Sequence, residues 1–204
     1  LFLLSCFAFS QNQGQIAIKG KMIKAKSGKL YLYEIFGNDS FVIDSSNVNS
    51  SGLFQFKSRE FTTGFYKLAF NNETNDVEIV LNPNESALLE IIFNEYRLSK
   101  NYNIKNSEDN KVKKIFNKKK SEIEREIKKT KSDGSKSIEV RKKEVQKLTE
   151  TMNNFSEKLA QDYPNTYTSK ILSKMQSPYQ EISHKFFNDI DFNDESIIRS
   201  NLMT

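Results

Sequence analysis

The clearest structural signal in this chain is Leu53-Phe54-Gln55-Phe56, followed at a short distance by Phe65-Tyr66-Lys67-Leu68-Ala69-Phe70. Successive side chains of an extended chain point to opposite faces, so Phe54 and Phe56 share one face. That face can pack on a core while the other face meets water, as in antiparallel sheets. Both stretches are therefore predicted to be β-strands.

Five further stretches have the same strand-like composition, at residues 16–18, 29–33, 41–43, 77–81 and 87–92. Between the stretches lie Gly, Asn and Pro residues, which favour turns because Gly and Asn tolerate positive φ and Pro fixes its own φ. No helical pattern separates the strands, as a parallel sheet would require. We therefore predict an antiparallel β-sandwich over residues 11–98.

After residue 107 the apolar period changes from two to about three and a half, which indicates helices. One apolar stripe contains Val112, Phe116, Ile123 and Ile127, and a second contains Ile138, Val145, Leu148, Met152, Phe155 and Leu159. The break at residues 131–135 is short, so the two helices should form an antiparallel hairpin. We predict a helical spacer over residues 99–176, which ends in a short helix at 167–175. A further short helix at 179–187 and an acidic linker complete residues 177–204, and the fold class is α+β.

The chain begins with an apolar run, Leu1-Phe2-Leu3-Leu4-Ser5-Cys6-Phe7-Ala8-Phe9-Ser10. Its length is that of the apolar region of a signal peptide, and it is too short to cross a bilayer as a helix. We interpret residues 1–10 as a signal-peptide remnant that is cleaved before Gln11. Because a starting Met and a basic segment are missing, we expect the natural sequence to begin earlier. The predicted location is the periplasm or cell envelope.

Cys6 is the only cysteine, and it allows a second interpretation of this region. Leu3-Leu4-Ser5-Cys6 is similar to a lipobox, whose cysteine is lipidated and anchors the protein to a membrane. Under either interpretation the mature chain keeps no free thiol. We therefore expect no thiol chemistry in this chain, and membrane contact only through lipidation of Cys6.

The positive charge of the chain is concentrated in one segment. Residues 100–150 contain 17 Lys and Arg against 9 Asp and Glu, a net charge of +8, whereas the whole chain carries +5. Glu residues interrupt the basic stretch at 111–147 and can pair with lysines one helical turn away. We interpret this stretch as a solvated helical face, with an anionic surface as the alternative. An exported protein is not expected to bind nucleic acid.

The sequence offers few candidates for an active or metal site. His184 is the only histidine, so a metal site there would need carboxylates alone to complete it. Asp189, Asp191, Asp194 and Glu195 lack the glycine and final glutamate of a calcium loop. No nucleophile elbow, dinucleotide fingerprint or phosphate loop occurs. We predict no catalytic, cofactor-binding or metal-binding residues, and consider an open strand edge as a docking site.

Several short runs together resemble a known N-terminal domain of unassigned function. They are Ile16-Ala17-Ile18-Lys19-Gly20-Lys21, Gly28-Lys29-Leu30-Tyr31-Leu32-Tyr33, Ile43-Asp44-Ser45, Ser51-Gly52-Leu53-Phe54-Gln55-Phe56, Gly64-Phe65-Tyr66-Lys67-Leu68 and Leu81-Asn82-Pro83. This domain precedes the thioredoxin module of exported bacterial TlpA-like thiol-disulfide oxidoreductases. The later runs Tyr163-Pro164-Asn165-Thr166-Tyr167 and Asp189-Ile190-Asp191-Phe192 resemble the spacer and the approach to that module.

The resemblance implies an accessory role. Thiol exchange in that family depends on a Cys-x-x-Cys motif, which this sequence does not contain, so no catalytic residue can be transferred. We expect a non-enzymatic docking or positioning region of an exported thioredoxin-like oxidoreductase, with a thioredoxin-like module or an envelope protein as its partner. The alternative is a free-standing envelope binding or structural protein that uses the helical hairpin as a coiled-coil contact.

Overall fold

The computed structural model describes residues 14–24, 27–37, 39–71, 74–94 and 97–174. Cys6, His184, the predicted helix at 179–187 and the acidic stretch at 188–195 lie outside these residues. Within them, strands come first and helices follow. The strands are β1 (Gly14–Met22), β2 (Gly28–Phe36), β3 (Asp39–Val48), β4 (Leu53–Phe61), β5 (Gly64–Phe70), β6 (Asp76–Leu81), β7 (Leu88–Phe93) and β8 (Tyr102–Lys105), and the helices are α1 (Glu108–Ser132), α2 (Ile138–Asp162) and α3 (Tyr167–Lys174).

The strands form two four-stranded sheets. The first sheet has the order β4-β1-β7-β8 and the second has the order β3-β2-β5-β6. The α+β class and the sandwich followed by helices are therefore confirmed. The prediction of purely antiparallel strands was wrong at one pair, because β1 and β7 are parallel. A parallel pair needs a long connection, and here the chain between the two strands builds β4 and the second sheet.

The main core lies between the two sheets. Its fully buried members include Ile16, Leu32, Phe56, Tyr66 and Phe93. Phe54 and Phe56 both point into it, as the alternation in sequence predicts, whereas Leu53 is 49% exposed on the other face. Because each buried aromatic or aliphatic side chain contributes on the order of 1.5–3 kcal/mol, this core is the main source of stability.

Glycine is required at one position where two strands come close together. A Cβ atom at Gly20 of β1 would lie 2.0 Å from the carbonyl oxygen of Ile91 in β7 and 2.6 Å from the Phe54 ring. Neither the backbone nor a core ring can move away without disturbing the first sheet. Gly20 therefore sets how closely β1, β4 and β7 pack.

A third layer, formed by α3, covers the outer face of the second sheet. Tyr167 and Ile171 of α3 are buried against Ile35, Phe65 and Val80, which point away from the main core. The Tyr167 and Phe65 rings meet edge to face, with centroids 5.4 Å apart. The second sheet thus has a side-chain core on both faces.

The two long helices form the predicted antiparallel hairpin, called the helical arm here. Each is 25 residues long, which corresponds to about 37 Å. Ser107 and Ser137 cap the two helices, since each side chain accepts a hydrogen bond from the backbone N–H three residues later. At its base, Val112 and Leu159 of the arm pack against Leu172 of α3.

Two details complete the fold. Strand β8 lies just before α1 and was not predicted, because its four residues have no flanking run of alternating apolar positions. None of the helices in the described part of the chain is long and apolar enough to cross a membrane.

Candidate functional site

The structure does not test the residues that the sequence analysis considered for a catalytic, metal or lipidation site, because Cys6, His184 and the acidic stretch lie outside the described ranges. Within those ranges, no group of three His, Cys, Asp or Glu side chains is placed to hold a metal ion. The notable polar sites of the described residues are instead a buried junction between sandwich and helices, and a groove on the first sheet.

The first component of the junction is Asn110, which lies in the first turn of α1 and is 4% exposed. Its Oδ1 accepts a hydrogen bond from the Val80 backbone N–H at 2.9 Å, and its Nδ2 donates to the Val80 carbonyl at 2.7 Å. The Asn110 carboxamide therefore pairs with β6 as a neighbouring strand would. Its Nδ2 also donates to Ser107 Oγ at 2.8 Å.

The second component is Asp109, which is 1% exposed and joins three parts of the chain. Its Oδ1 accepts from the Thr168 backbone N–H of α3 at 2.7 Å. Its Oδ2 accepts from Asn82 Nδ2, just after β6, at 2.9 Å. A buried carboxylate is costly unless it is hydrogen-bonded, so these partners stabilise one relative position of α1, α3 and the sandwich.

The third component is Glu85, which approaches the N-terminal end of α1. Its Oε1 accepts from the backbone N–H groups of Glu108 and Asp109, and its Oε2 accepts from Ser107 Oγ at 2.7 Å. A carboxylate at this end of a helix satisfies N–H groups that have no partner within the helix. Burial nevertheless raises the pKa of Glu85 above its usual value, and the charge of nearby Asp109 acts in the same direction.

Lysines of α1 complete the junction. The Lys113 side chain is almost buried, forms an ion pair with Glu78 of β6, and lies 4.8 Å from the centroid of the Phe65 ring. Lys114 Nζ donates to the Tyr102 carbonyl of β8 at 2.5 Å. Together, Ser107, Asp109, Asn110, Lys113, Lys114 and Glu85 are called the junction below.

The strand edges, which the sequence suggested as docking sites, are partly occupied by side chains. Asn110 contacts β6 and Lys114 contacts β8. At the opposite side of the sandwich, Ser46 Oγ of β3 donates to the Gln55 carbonyl of β4 at 2.8 Å. Arg59 of β4 donates to the Ile43 carbonyl of β3 at 2.7 Å. These contacts make the strand edges less suited to accept a partner strand.

The helical arm carries the basic segment. Its charges are partly paired along the helix, at Lys119–Glu122 and Lys120–Glu124, with N–O distances of 3.7 and 3.9 Å. Such exposed pairs contribute at most about 1 kcal/mol each. This agrees with a solvated helical face.

The apolar seam of the arm is only half covered over much of its length. Val145, Leu148, Met152 and Phe155 are half-buried, and Ile138 and Val140 at the tip are 58% and 44% exposed. Two helices alone cannot enclose such a seam, so the arm retains apolar surface along one side.

The outer face of the first sheet carries the second notable site, a groove of about 760 Å³. A row of side chains crosses the sheet, because Gln55 is paired in register with Lys19, Lys19 with Glu90, and Glu90 with Lys105. Lys21 occupies the next row, opposite Leu53 and Ile92. We call the surface formed by Lys19, Lys21, Leu53, Gln55, Glu90, Ile92 and Lys105 the open groove.

The charges in the open groove are mostly positive. Lys19 Nζ lies 3.0 Å from Glu90 Oε1, and both side chains are partly exposed. This hydrogen bond, and secondarily the charge of Lys105, lowers the pKa of Glu90, so its carboxylate stays ionised at neutral pH. Three lysines and one carboxylate therefore line the groove.

Comparisons with known proteins do not identify the chain. No family model matches it, and no curated protein matches it. It is similar to the crystal structure of (S)-allantoin synthase, with 11% sequence identity and a TM-score of 0.33. That match covers 45% of this chain and 43% of the other, so the chain spans less than half of that structure. A likeness this weak carries no argument, and the function has to be inferred from the geometry.

Proposed function

We propose that this chain is a non-catalytic docking and positioning region of an exported thioredoxin-like thiol-disulfide oxidoreductase. The observation that carries the proposal is the junction, in which Asp109 and Asn110 bind the sandwich, α1 and α3 to one another. A region that positions another module needs a fixed geometry between its binding surface and its spacer. Buried, fully paired polar groups favour one such geometry over alternatives.

The order of elements supports the same role. Among the described residues, no helix contributes to the lining of the groove on the first sheet, and the two long helices that follow the sandwich, α1 and α2, extend for about 37 Å each. The resemblance to the N-terminal domain of TlpA-like oxidoreductases supplies the class of parent protein. In this proposal the chain binds and orients, and a thioredoxin-like module exchanges thiols and disulfides.

The coding sequence beyond Thr204 tests the proposal directly. We expect it to continue in frame into a segment with a Cys-x-x-Cys motif. A stop codon that is not preceded by a thioredoxin-like segment would refute the proposal that this chain belongs to a thioredoxin-like oxidoreductase. An insulin-reduction assay adds an independent check, in which the 204-residue chain should show no turnover above buffer.

The proposed export can be tested on the mature protein. Expression from the complete gene followed by intact-mass measurement should give either a protein that begins at Gln11 or one that carries a lipid on Cys6. If cell fractionation finds the protein in the cytoplasm with residues 1–5 still present, the proposal is contradicted.

A second candidate function is favoured by the half-covered seam of the arm. Ile138 and Val140 are exposed at its tip, and a free-standing envelope protein could bury them in a coiled-coil contact. Light scattering coupled to size-exclusion chromatography separates the candidates. A concentration-dependent dimer that Val140→Glu abolishes would favour the second, whereas a monomer in both variants would favour the first.

A further inference from the structure

The open groove has an excess of positive charge that the described residues do not neutralise. Lys19 is paired with Glu90, but within the described ranges neither Lys21 nor Lys105 forms an ion pair with a carboxylate. Both lysines line the groove together with Lys19. A ligand that binds there should therefore carry negative charge.

The spacing of the lysines indicates the shape of that ligand. Lys19 and Lys21 are two residues apart on β1, which places their Cα atoms about 6.6–6.8 Å apart. An extended peptide repeats its side chains on one face at the same distance. Lys105 lies two strands away from Lys19, about 10 Å across the sheet. Carboxylates at alternate positions of an extended peptide thus match the two lysines of β1.

The sides of the groove add apolar surface. Leu53 is 49% exposed and Ile92 is half-buried, and they flank Lys21 on its two neighbouring strands. An inorganic anion would leave these side chains uncovered. A peptide that combines acidic with aliphatic residues would contact both the lysines and the apolar sides.

We propose that the open groove binds an extended acidic peptide of a partner protein, with carboxylates at alternate positions. This inference names the docking surface of the accessory role proposed above, and it rests on that role. A second copy of this chain is a poor occupant, because a two-fold contact would bring the same lysines against each other. The edges of the sandwich are contacted by side chains, whereas none of the described helices contributes a residue to the lining of the open groove.

Fluorescence anisotropy with a labelled short peptide that alternates aspartate and leucine tests the proposal. The full chain should bind this peptide, and binding should weaken as ionic strength rises. Two control peptides share its length. One replaces each aspartate with asparagine, and the other groups all aspartates together, so that their spacing no longer matches β1.

Matched charge variants assign the binding to the groove. The double variant Lys19→Gln/Lys21→Gln, which removes the two lysines of β1, should bind the alternating peptide about tenfold more weakly, as the loss of two partly exposed ion pairs implies. Lys29→Gln/Lys100→Gln makes the same change in net charge away from the groove and should bind like the unchanged chain. Circular dichroism confirms that both variants fold.

The outcomes separate clearly. Equal binding by the two double variants, equal binding of the grouped-aspartate peptide, or no binding by the unchanged chain would each overturn the groove proposal. None of these results bears on whether a Cys-x-x-Cys segment follows Thr204, so failure of this inference can be distinguished from failure of the proposed function.

Discussion

Asn110→Ala is the sharpest test of how the sandwich and helices are joined. The substitution removes the two hydrogen bonds that pair the Asn110 carboxamide with Val80, and it leaves the Val80 N–H and carbonyl without those partners at a buried site. Each unsatisfied buried group costs about 1–3 kcal/mol. The higher helix propensity of alanine offsets about 0.5 kcal/mol. We therefore expect the free energy of unfolding to fall by about 1.5–5.5 kcal/mol.

The control is Asn117→Ala, the same substitution at an exposed position of α1. It should be neutral or stabilise by about 0.5 kcal/mol, since only helix propensity changes. Urea unfolding followed by circular dichroism gives both values, and hydrogen exchange at the Val80 amide should accelerate only in Asn110→Ala. If the two variants differed by less than about 0.5 kcal/mol, the junction would not stabilise the fold as argued.

Asn110→Asp distinguishes pairing from packing at the same position. A carboxylate keeps the size of the side chain but replaces the Nδ2 donor with an oxygen that faces the Val80 carbonyl. It also buries a negative charge. We expect it to destabilise more than Asn110→Ala at neutral pH. A smaller loss would mean that shape, and not hydrogen bonding, determines the effect.

Three further predictions concern Glu85 of the junction, Tyr66 of the main core and Gly20 of β1. Burial raises the pKa of Glu85, so the folded state binds more protons than the unfolded state above pH 4.5, and stability is lost as pH rises through the folded pKa. Urea titrations should show wild type losing stability relative to Glu85→Gln as pH rises from 4.5 towards neutral, and the opposite slope would contradict this assignment. Burial likewise raises the pKa of Tyr66 to about 12, so the unfolded state loses its proton first as pH rises above 10. Tyr66→Phe should therefore reduce alkaline destabilisation between pH 10 and about 12, and an unchanged alkaline midpoint would count against it. Finally, Gly20→Ala should lower the free energy of unfolding by about 1–3 kcal/mol or more, because its Cβ would clash with Ile91 and Phe54. Gly134 has open space around it, so the control Gly134→Ala should change the melting temperature little.

The predictable part of the fold is the part set by local periodicity. The period of two in Phe54 and Phe56 predicted that both lie on the core face, and the apolar stripes predicted both long helices. The parallel β1–β7 pair was not predictable in this way. Local periodicity identifies strands, but it does not determine which strand pairs with β1. Strand β8 was not predicted, because four residues are too few to show a clear alternation of apolar and polar positions.

The junction and the open groove could not be located from the sequence for a different reason. Ser107 and Asn110 have the spacing of an ordinary helix cap, and nothing local shows that the Asn110 carboxamide reaches Val80, thirty residues earlier. Lys105 likewise joins Lys19 and Lys21 on one face only when β8 pairs with β7 in the first sheet. Both sites depend on contacts between distant segments.

The pairing of Asn110 with β6 also protects the molecule from self-association. An unoccupied outer strand can recruit the same strand of another molecule, and growth by this route leads to aggregates. Because a single helical side chain occupies Val80, transient detachment of α1 would uncover the strand before the sandwich itself opens. Conditions that loosen the helices without melting the sheets should therefore be those in which this protein precipitates most readily.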